Sequence, residues 1–189
     1  MTATPGPAVD SAFGAVLFTD LVGFTEYTDT EGDVAALRVL EHQTGLMSGI
    51  TDARPDARIV KELGDGLLVW FDAALDAIEG AIAMLLAVEA ARRTNAFPVA
   101  IRMGLHAGEV LPRGPDLVGA TVNIAARIAA LAGPGELLAS EAAVDACGDR
   151  LPAARLDPVG PAPVKGVSTP VWLVRVCPDR GAPVAGARH

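Results

Sequence analysis

FGAVLFTDLVGFT, residues 13–25, joins an apolar run to a glycine turn and places one acidic residue, Asp20, between them. The run from Phe13 to Phe18 is typical of a buried strand. An acidic side chain at the carboxyl end of such a strand lies at the rim of a sheet, where open α/β proteins bind ligands. The stretch therefore predicts a sheet-based fold in which the Asp20 carboxylate could hold a metal ion.

The composition limits the classes of partner. The chain has 189 residues, of which 51% are apolar, so one main domain with a sizeable core is expected. A formal net charge of −8 argues against non-specific nucleic-acid binding and against an anionic membrane surface. The longest apolar stretch, around residues 81–88, is much shorter than the roughly 20 residues that a membrane span requires. We therefore expect no nucleic-acid partner and no membrane span, and no signal-peptide pattern opens the chain.

Cysteine usage and the terminal segments indicate compartment and domain bounds. The two cysteines, Cys147 and Cys177, show neither metal-ligand spacing nor a disulfide framework, which favours a cytoplasmic location. Residues 1–11 and 178–189 are rich in Pro, Gly and Ala and lack apolar periodicity. They are predicted to be flexible tails on either side of a domain spanning 12–177.

Strands and helices alternate between these tails. Apolar runs predict strands at 13–19, 59–63, 67–71, 99–105, 136–139 and 171–176. One predicted helix begins near Asp33 and has an apolar face made roughly of Val34, Leu37, Leu40 and Met47. A second has the stripe Leu75, Ile78, Ile82 and Leu85, and a third covers 121–131. Gly64-Asp65-Gly66 between two short runs predicts a β-hairpin. The order indicates an α+β fold, a mixed sheet covered by helices.

Asp65 lies at the tip of the predicted hairpin. Asp-Gly suits a tight turn for conformational reasons alone. A hairpin tip and the end of a neighbouring strand can nevertheless meet at one edge of a sheet, which would bring Asp65 beside Asp20. Two carboxylates surrounded by glycines suit one or two Mg²⁺ ions that share phosphate oxygens.

Lys61 interrupts an otherwise apolar strand. Strict alternation places Lys61 and Leu63 on one face of that strand and Val60 and Glu62 on the other, so each face mixes apolar with charged side chains. A solvent-facing lysine and a functional lysine are both open interpretations.

Asn123 and Arg127 are four residues apart and therefore share one face of a predicted helix. They could form a polar face that solvates the helix, or they could direct an amide and a guanidinium at a phosphate and its sugar. Asp116 by itself is typical of a loop, and Arg102 and Lys165 by themselves are typical of surface charges. No Walker-type loop, GxSxG elbow, HExxH helix or paired CxxC is present.

Three motifs together resemble the class III nucleotide cyclase catalytic domain. Residues 18–25, FTDLVGFT, resemble its first metal-binding segment, and residues 61–66, KELGDG, resemble its Lys-x-x-Gly-Asp segment. Residues 116–127, DLVGATVNIAAR, resemble the segment that reads the base and stabilises the transition state. The resemblance runs from about 13 to 176. It implies a ferredoxin-like core and an adenylate cyclase that converts ATP to 3′,5′-cyclic AMP and pyrophosphate.

The resemblance also implies a role for each position of these motifs. Asp20 and Asp65 would bind two divalent cations, Mg²⁺ or Mn²⁺, with the Leu21 carbonyl as a further ligand. Lys61 and Asp116 would recognise adenine.

Four further positions would bind or act on the rest of the nucleotide. Asn123 would orient the ribose, and Arg127 would stabilise charge on the reacting phosphate. Arg102 and Lys165 would bind phosphate.

Family resemblance further implies a head-to-tail homodimer with shared active sites. Each site would take its metal-binding aspartates and Arg102 from one chain and its remaining side chains from the other. The stretch between His106 and Asp116 is shorter than in the membrane-bound animal cyclases and resembles the shortened arm of some bacterial members, which helps form the dimer interface. Three alternatives remain open: a guanylate or relaxed-specificity cyclase, a non-catalytic nucleotide-binding dimerisation module, and a catalytic fragment whose regulatory domain lies outside these residues.

Overall fold

The strand that carries Asp20 lies in the interior of an eight-stranded sheet. The computed structural model describes residues 10–150, 152–164, 167 and 169–179. Most of the predicted tails, 1–9 and 180–189, lie outside the described residues. The elements in chain order are β1 (Ala12–Val22), α1 (Phe24–Glu31), α2 (Asp33–Thr51), β2 (Ala57–Leu63), β3 (Gly66–Phe71), α3 (Ala74–Arg93), β4 (Ala100–Arg113), β5 (Asp116–Val118), α4 (Ala120–Leu131), β6 (Leu137–Ser140), α5 (Glu141–Asp145), β7 (Ala154–Ala162) and β8 (Val171–Pro178).

The sheet is mixed, as predicted. Its strands follow the order β2-β3-β1-β4-β6-β8-β7, and β5 pairs with the end of β4. The first four strands of this order, β2, β3, β1 and β4, pair antiparallel with one another, and with the intervening helices they form the ferredoxin-like core. β6 adds to β4 in parallel, and β8 and β7 continue the sheet antiparallel. The predicted α+β fold is confirmed.

Different helices cover the two faces of the sheet. On one face, side chains such as Met47 of α2 and Ile78 of α3 pack against Leu17 of β1. On the other face, Val16 of β1 packs in one cluster with Val122 of α4. Because side chains alternate along a strand, Val16 and Asp20 point to the same face. Asp20 therefore lies on the face that α4 covers.

The buried side of α2 differs from the predicted one. Val34 is 70% exposed and Leu37 is 56% exposed, so the prediction was wrong for both. The buried positions of this helix are Ala36, Val39, Gln43, Met47 and Thr51. The packing face is set by α3 and the sheet, partners that the apolar periodicity alone does not specify.

The hairpin of β2 and β3 and the stripe of α3 were predicted, but several elements were not. The sequence did not predict α1, β5, α5 or β7, and it ended β4 eight residues too early. These are short, polar or proline-containing segments, for which periodicity is weak. Within the described part of the chain, no helix is both long and apolar enough to cross a bilayer.

Candidate active site

Asp20 and Arg102 face each other across the ladder of β1 and β4. Arg102 Nε donates to Asp20 Oδ2 over 2.6 Å, and Arg102 Nη2 lies 2.5 Å from the same oxygen. Charge-assisted contacts of this kind are stronger than neutral hydrogen bonds. Because backbone pairing places the two residues opposite each other, the ladder itself holds this ion pair together.

Asp65 lies at the hairpin tip, next to the end of β1. A Cβ atom at Gly66 would lie 2.4 Å from the main-chain oxygen of Thr19, so only glycine lets the hairpin approach β1 this closely. Burial raises the pKa of Asp65, and the negative charge of Asp20 raises it further. The two carboxylates therefore interact, and we call Asp20, Asp65 and Arg102 the acidic half-site.

The donor set of the acidic half-site fits a hard divalent cation. Asp20 and Asp65 supply the carboxylate oxygens that Mg²⁺ and Mn²⁺ take as ligands. A cation between them would relieve the repulsion that contributes to the raised pKa of Asp65. The buried side chain of Leu21 is a hydrocarbon and has no donor atom, so Leu21 could contribute only its main-chain carbonyl. Over the described ranges, no group of three or more His, Cys, Asp or Glu side chains is placed to hold an ion, so further ligands would come from other oxygens.

A cavity of about 210 Å³ adjoins the acidic half-site. Asp20, Arg102 and Gly66 form one wall, and Ala126 and Ala130 of α4 contribute to the other. Ligand pockets typically enclose about 300–1,000 Å³, so this cavity is small for a whole nucleotide. A wider cleft of about 990 Å³ between α3, β7 and β8 contains none of the predicted site residues.

Lys61 and Asp116 form a second cluster, which we call the base half-site. Lys61 Nζ of β2 donates to Asp116 Oδ2, at the start of β5, over 2.7 Å. The main-chain N–H of Leu117 donates to the other carboxylate oxygen, also over 2.7 Å. The hydrogen bond from Lys61, followed by that from Leu117, lowers the pKa of Asp116. The pair is therefore an ammonium beside an ionised carboxylate.

A β-bulge just before Lys61 accounts for the mixed faces of β2. Lys61 is paired with Leu68, and both Leu68 and Val60 pack in the cluster on the α4 face. Glu62 accepts a hydrogen bond from Thr44 of α2, on the opposite face. Strict alternation was therefore wrong for Val60, because a bulge shifts the register by one residue.

Asn123 and Arg127 lie on α4, four residues apart as predicted. Asn123 is exposed, and Arg127 is partly buried. The Nη1 atom of Arg127 is buried and has no hydrogen-bond partner among the described residues. A buried donor without an acceptor costs free energy, so this nitrogen suits an anion delivered to it. Lys165, the remaining predicted phosphate ligand, lies outside the described residues.

Two glycines of β4 set the position of α4. A Cβ atom at Gly104 would lie 2.0 Å from the main-chain nitrogen of Ala129, and one at Gly108 would lie 2.7 Å from Thr121 Oγ1. Thr121 Oγ1 also donates to the Glu109 carbonyl over 2.6 Å. The helix is therefore in direct backbone contact with the strand beneath it.

Two buried polar residues behind the acidic half-site were not predicted. Thr19 Oγ1 accepts hydrogen bonds from the Leu67 N–H at 3.1 Å and from Gln43 Nε2 at 3.3 Å. A sequence signal existed, because Thr19 ends an apolar run and Gln43 lies four residues before Met47 on the same helix face. Polar residues at such positions indicate a buried hydrogen bond.

Comparisons with known proteins agree with the sequence motifs. Residues 11–175 match the family described as the adenylate and guanylate cyclase catalytic domain. The pH-sensitive adenylate cyclase of Mycobacterium tuberculosis is 33% identical over 179 residues, which cover 91% of this chain and 42% of the relative. The chain spans less than half the length of the curated relatives it matches, from 22% to 42%.

Solved structures give the same result. The adenylyl cyclase CyaB from P. aeruginosa is 25% identical with a TM-score of 0.79, covering 91% of this chain and 97% of that one. The guanylyl cyclase Cya2 is 27% identical with a TM-score of 0.74, covering 88% of this chain and 92% of that one.

Proposed function

The chain belongs to the adenylate and guanylate cyclase catalytic domain family, and from this premise we propose that it converts ATP to 3′,5′-cyclic AMP and pyrophosphate in a homodimer with shared active sites. The observation that carries the proposal is the meeting of the hairpin tip that bears Asp65 with the end of β1 that bears Asp20, because Gly66 lies against the main chain of Thr19. Asp20 also borders a cavity together with Arg102 and α4. A second, separate pair, Lys61 and Asp116, supplies the polar groups that a purine needs.

The acidic half-site would hold the cofactors. Asp20 and Asp65, with the Leu21 carbonyl, would bind two divalent cations, Mg²⁺ or Mn²⁺, which acidify the ribose 3′-hydroxyl and neutralise charge on the triphosphate when bound. Arg102 orients the Asp20 carboxylate through its two contacts with Oδ2. Its guanidinium carries five N–H donors, so it can also donate to a phosphate oxygen.

The base half-site would select adenine. The Lys61 ammonium would donate to ring nitrogen N1, and the Asp116 carboxylate would accept from the 6-amino group. Guanine exchanges donor and acceptor at these two positions, so the same pair would meet it with the wrong polarity unless the base shifted. The guanylate or relaxed-specificity alternative therefore depends on how the ring is held.

The reaction depends on positioned charges and not on covalent catalysis by the protein. The 3′-hydroxyl loses its proton, and its oxygen forms a bond to the α-phosphorus. The bond from that phosphorus to the bridging oxygen breaks, and pyrophosphate leaves. Asn123 would orient the ribose, and Arg127 would face the charge that develops on the reacting phosphate. Arg102 and Lys165 would bind the other phosphates.

Assay of the two nucleotides tests this proposal. Purified protein is given equal ATP and GTP with Mn²⁺ at several protein concentrations, and cyclic AMP and cyclic GMP are both measured. We expect cyclic AMP to predominate and its formation per chain to increase with protein concentration as dimers form. Predominant cyclic GMP would overturn the substrate assignment. Nucleotide binding without pyrophosphate release would favour the non-catalytic module.

Mixed variants test the shared site. Asp20→Ala and Arg127→Ala chains are each expected to be inactive alone. Their mixed dimers would contain one intact site, so random exchange should restore about a quarter of wild-type activity. Asp20→Ala mixed with Asp65→Ala is the matched control, because both changes affect the acidic half-site and no activity should return. If the first mixture exchanges chains and remains inactive, the two halves do not come from opposite chains.

A further inference from the structure

A buried hydrogen-bond network joins three elements behind the acidic half-site. Thr19 of β1 is 2% exposed, and Gln43 of α2 is 1% exposed. The Thr19 hydroxyl accepts from Gln43 Nε2 and from the Leu67 N–H of β3. We propose that Thr19 and Gln43 are positioning residues that set the spacing of Asp20 and Asp65. This inference rests on the proposed function, in which those carboxylates hold the metal ions.

The place of the network in the sheet gives it this effect. The register of β1 with β3 ends at the pair Thr19 and Leu67. Immediately past that pair, β1 continues into Asp20, and β3 meets the hairpin tip that bears Asp65. Gly66 lies against the Thr19 main chain, at a separation too short for any side chain. A displacement at the last pair of the ladder is therefore passed directly to Asp65.

The hydrogen bonds of Thr19 explain why α2 buries the side-chain amide of Gln43 at this position. A hydroxyl oxygen has two acceptor lone pairs, and both are directed at donors here, one from each neighbouring element. Burying the primary amide of Gln43 costs free energy that only a hydrogen bond recovers. A hydrocarbon side chain would fill the same space without that cost. The amide instead fixes the orientation of the Thr19 hydroxyl, which then holds Leu67.

Thr51 provides a matched control on the same helix. It is also buried, at 3% exposed, and its hydroxyl donates only to Met47 and Ser48 carbonyls of α2 among the contacts described. Thr51→Val removes a buried hydroxyl of equal size whose described hydrogen bonds stay within α2. It therefore reports the effect of lost stability alone.

The experiment compares Thr19→Val and Gln43→Leu with Thr51→Val and with Thr19→Ser, which keeps the hydroxyl. Mn²⁺ binding to the nucleotide-free protein is measured by electron paramagnetic resonance, and exchange of the Leu67 amide by NMR. Changes to side chains that orient metal ligands typically cost about 10–100-fold in metal affinity, and we expect this loss in Thr19→Val and Gln43→Leu. Both should also show faster Leu67 exchange. Thr19→Ser and Thr51→Val should bind Mn²⁺ as the wild type does.

Each outcome decides the inference. If Thr19→Val and Gln43→Leu bind Mn²⁺ as well as Thr51→Val does, the network is structural only and the inference is overturned. Absence of Mn²⁺ binding in the wild type overturns it as well. If Thr19→Val does not fold, Gln43→Leu carries the same test. The expected Mn²⁺ losses in a protein that makes no cyclic nucleotide would support the inference and overturn the proposed function.

Discussion

The acidic and base half-sites use charge in opposite ways. In the acidic half-site, burial and a neighbouring carboxylate raise the pKa of Asp65. In the base half-site, a lysine and a main-chain N–H lower the pKa of Asp116. The first cluster has one more carboxylate than cation, whereas the second is neutral within one chain. Under the proposed function, a divalent cation would complete the first cluster, and an uncharged, polar purine edge would match the second.

The two half-sites also differ in what holds them. Asp20 and Arg102 are paired residues of adjacent strands, so the sheet fixes them as soon as it forms. Lys61 and Asp116 lie on strands that are not neighbours in the sheet, and each side chain is more than a third exposed. Exposed ion pairs contribute little to stability. We therefore expect changes in the acidic half-site to abolish chemistry, and changes in the base half-site to alter selectivity.

Asp20→Ala should have the largest effect. If Asp20 is a metal ligand as proposed, its removal prevents metal binding, so we expect cyclic AMP formation to fall by more than about 10³-fold, beyond the loss from one positioned charge. Cyclic AMP formation and the melting temperature are measured together. Asp29→Ala, which removes an exposed acidic residue of α1, is the control and should retain activity. Substantial Mn²⁺-dependent activity in folded Asp20→Ala would contradict the metal role.

Lys61→Met should have an intermediate effect that is confined to the base half-site. A hydrogen bond to a charged group contributes about 1.5–3 kcal/mol, so we expect the KM for ATP to increase about 10–100-fold. Discrimination against GTP should decrease, while Mn²⁺ binding should be unchanged. An equal loss for ATP and GTP would show that Lys61 does not read the base.

The same variant has a titration signature at Asp116. Because Lys61 holds the pKa of Asp116 below its ordinary value of 3.8, its removal should raise that pKa, as measured by NMR. The lowered pKa of Asp116 also predicts the pH range over which this group affects stability. A carboxyl group whose pKa is lower in the folded chain than in the unfolded chain stabilises the fold at pH values above the unfolded pKa. This contribution is lost as the pH falls through the folded pKa. The contribution of Asp116 to stability should therefore not change with pH near neutrality.

Substitution of His106, which belongs to neither half-site, should have the smallest effect on activity and should change only the pH dependence of stability. Its ring Nδ1 lies 2.7 Å from Ser140 Oγ, and burial lowers its pKa from 6.5 to about 4. The associated stability is present above pH 6.5 and is lost as pH falls toward 4, because the unfolded chain binds the proton first. His106→Gln should flatten this decline, as measured by urea unfolding between pH 7.5 and 4.5. Parallel curves for wild type and variant would contradict the assignment.

The sequence predicted the parts of the molecule that local patterns determine. The β1 strand, the Gly64-Asp65-Gly66 turn and the α3 stripe followed from apolar spacing and turn chemistry. The face of β2 on which Lys61 lies could not be predicted in this way, because it depends on a bulge in the pairing of β2 with β3. Val34 and Leu37 were assigned to the core since both are apolar, whereas α2 buries Gln43 instead. A buried amide is specified by its partner on another element, and periodicity does not contain that information.

The close contact between Gly104 and Ala129 limits how such a protein can be controlled. At Gly104 the backbones of β4 and α4 meet with no side chain between them, so a shift of α4 along this strand would produce a clash at Ala129. In the proposed homodimer, we therefore expect a signal that changes activity to act by rotating one subunit against the other. In such a dimer, sensitivity to an external domain would be a property of the subunit geometry, and a cross-link between the two subunits could lock the enzyme on or off without altering either fold.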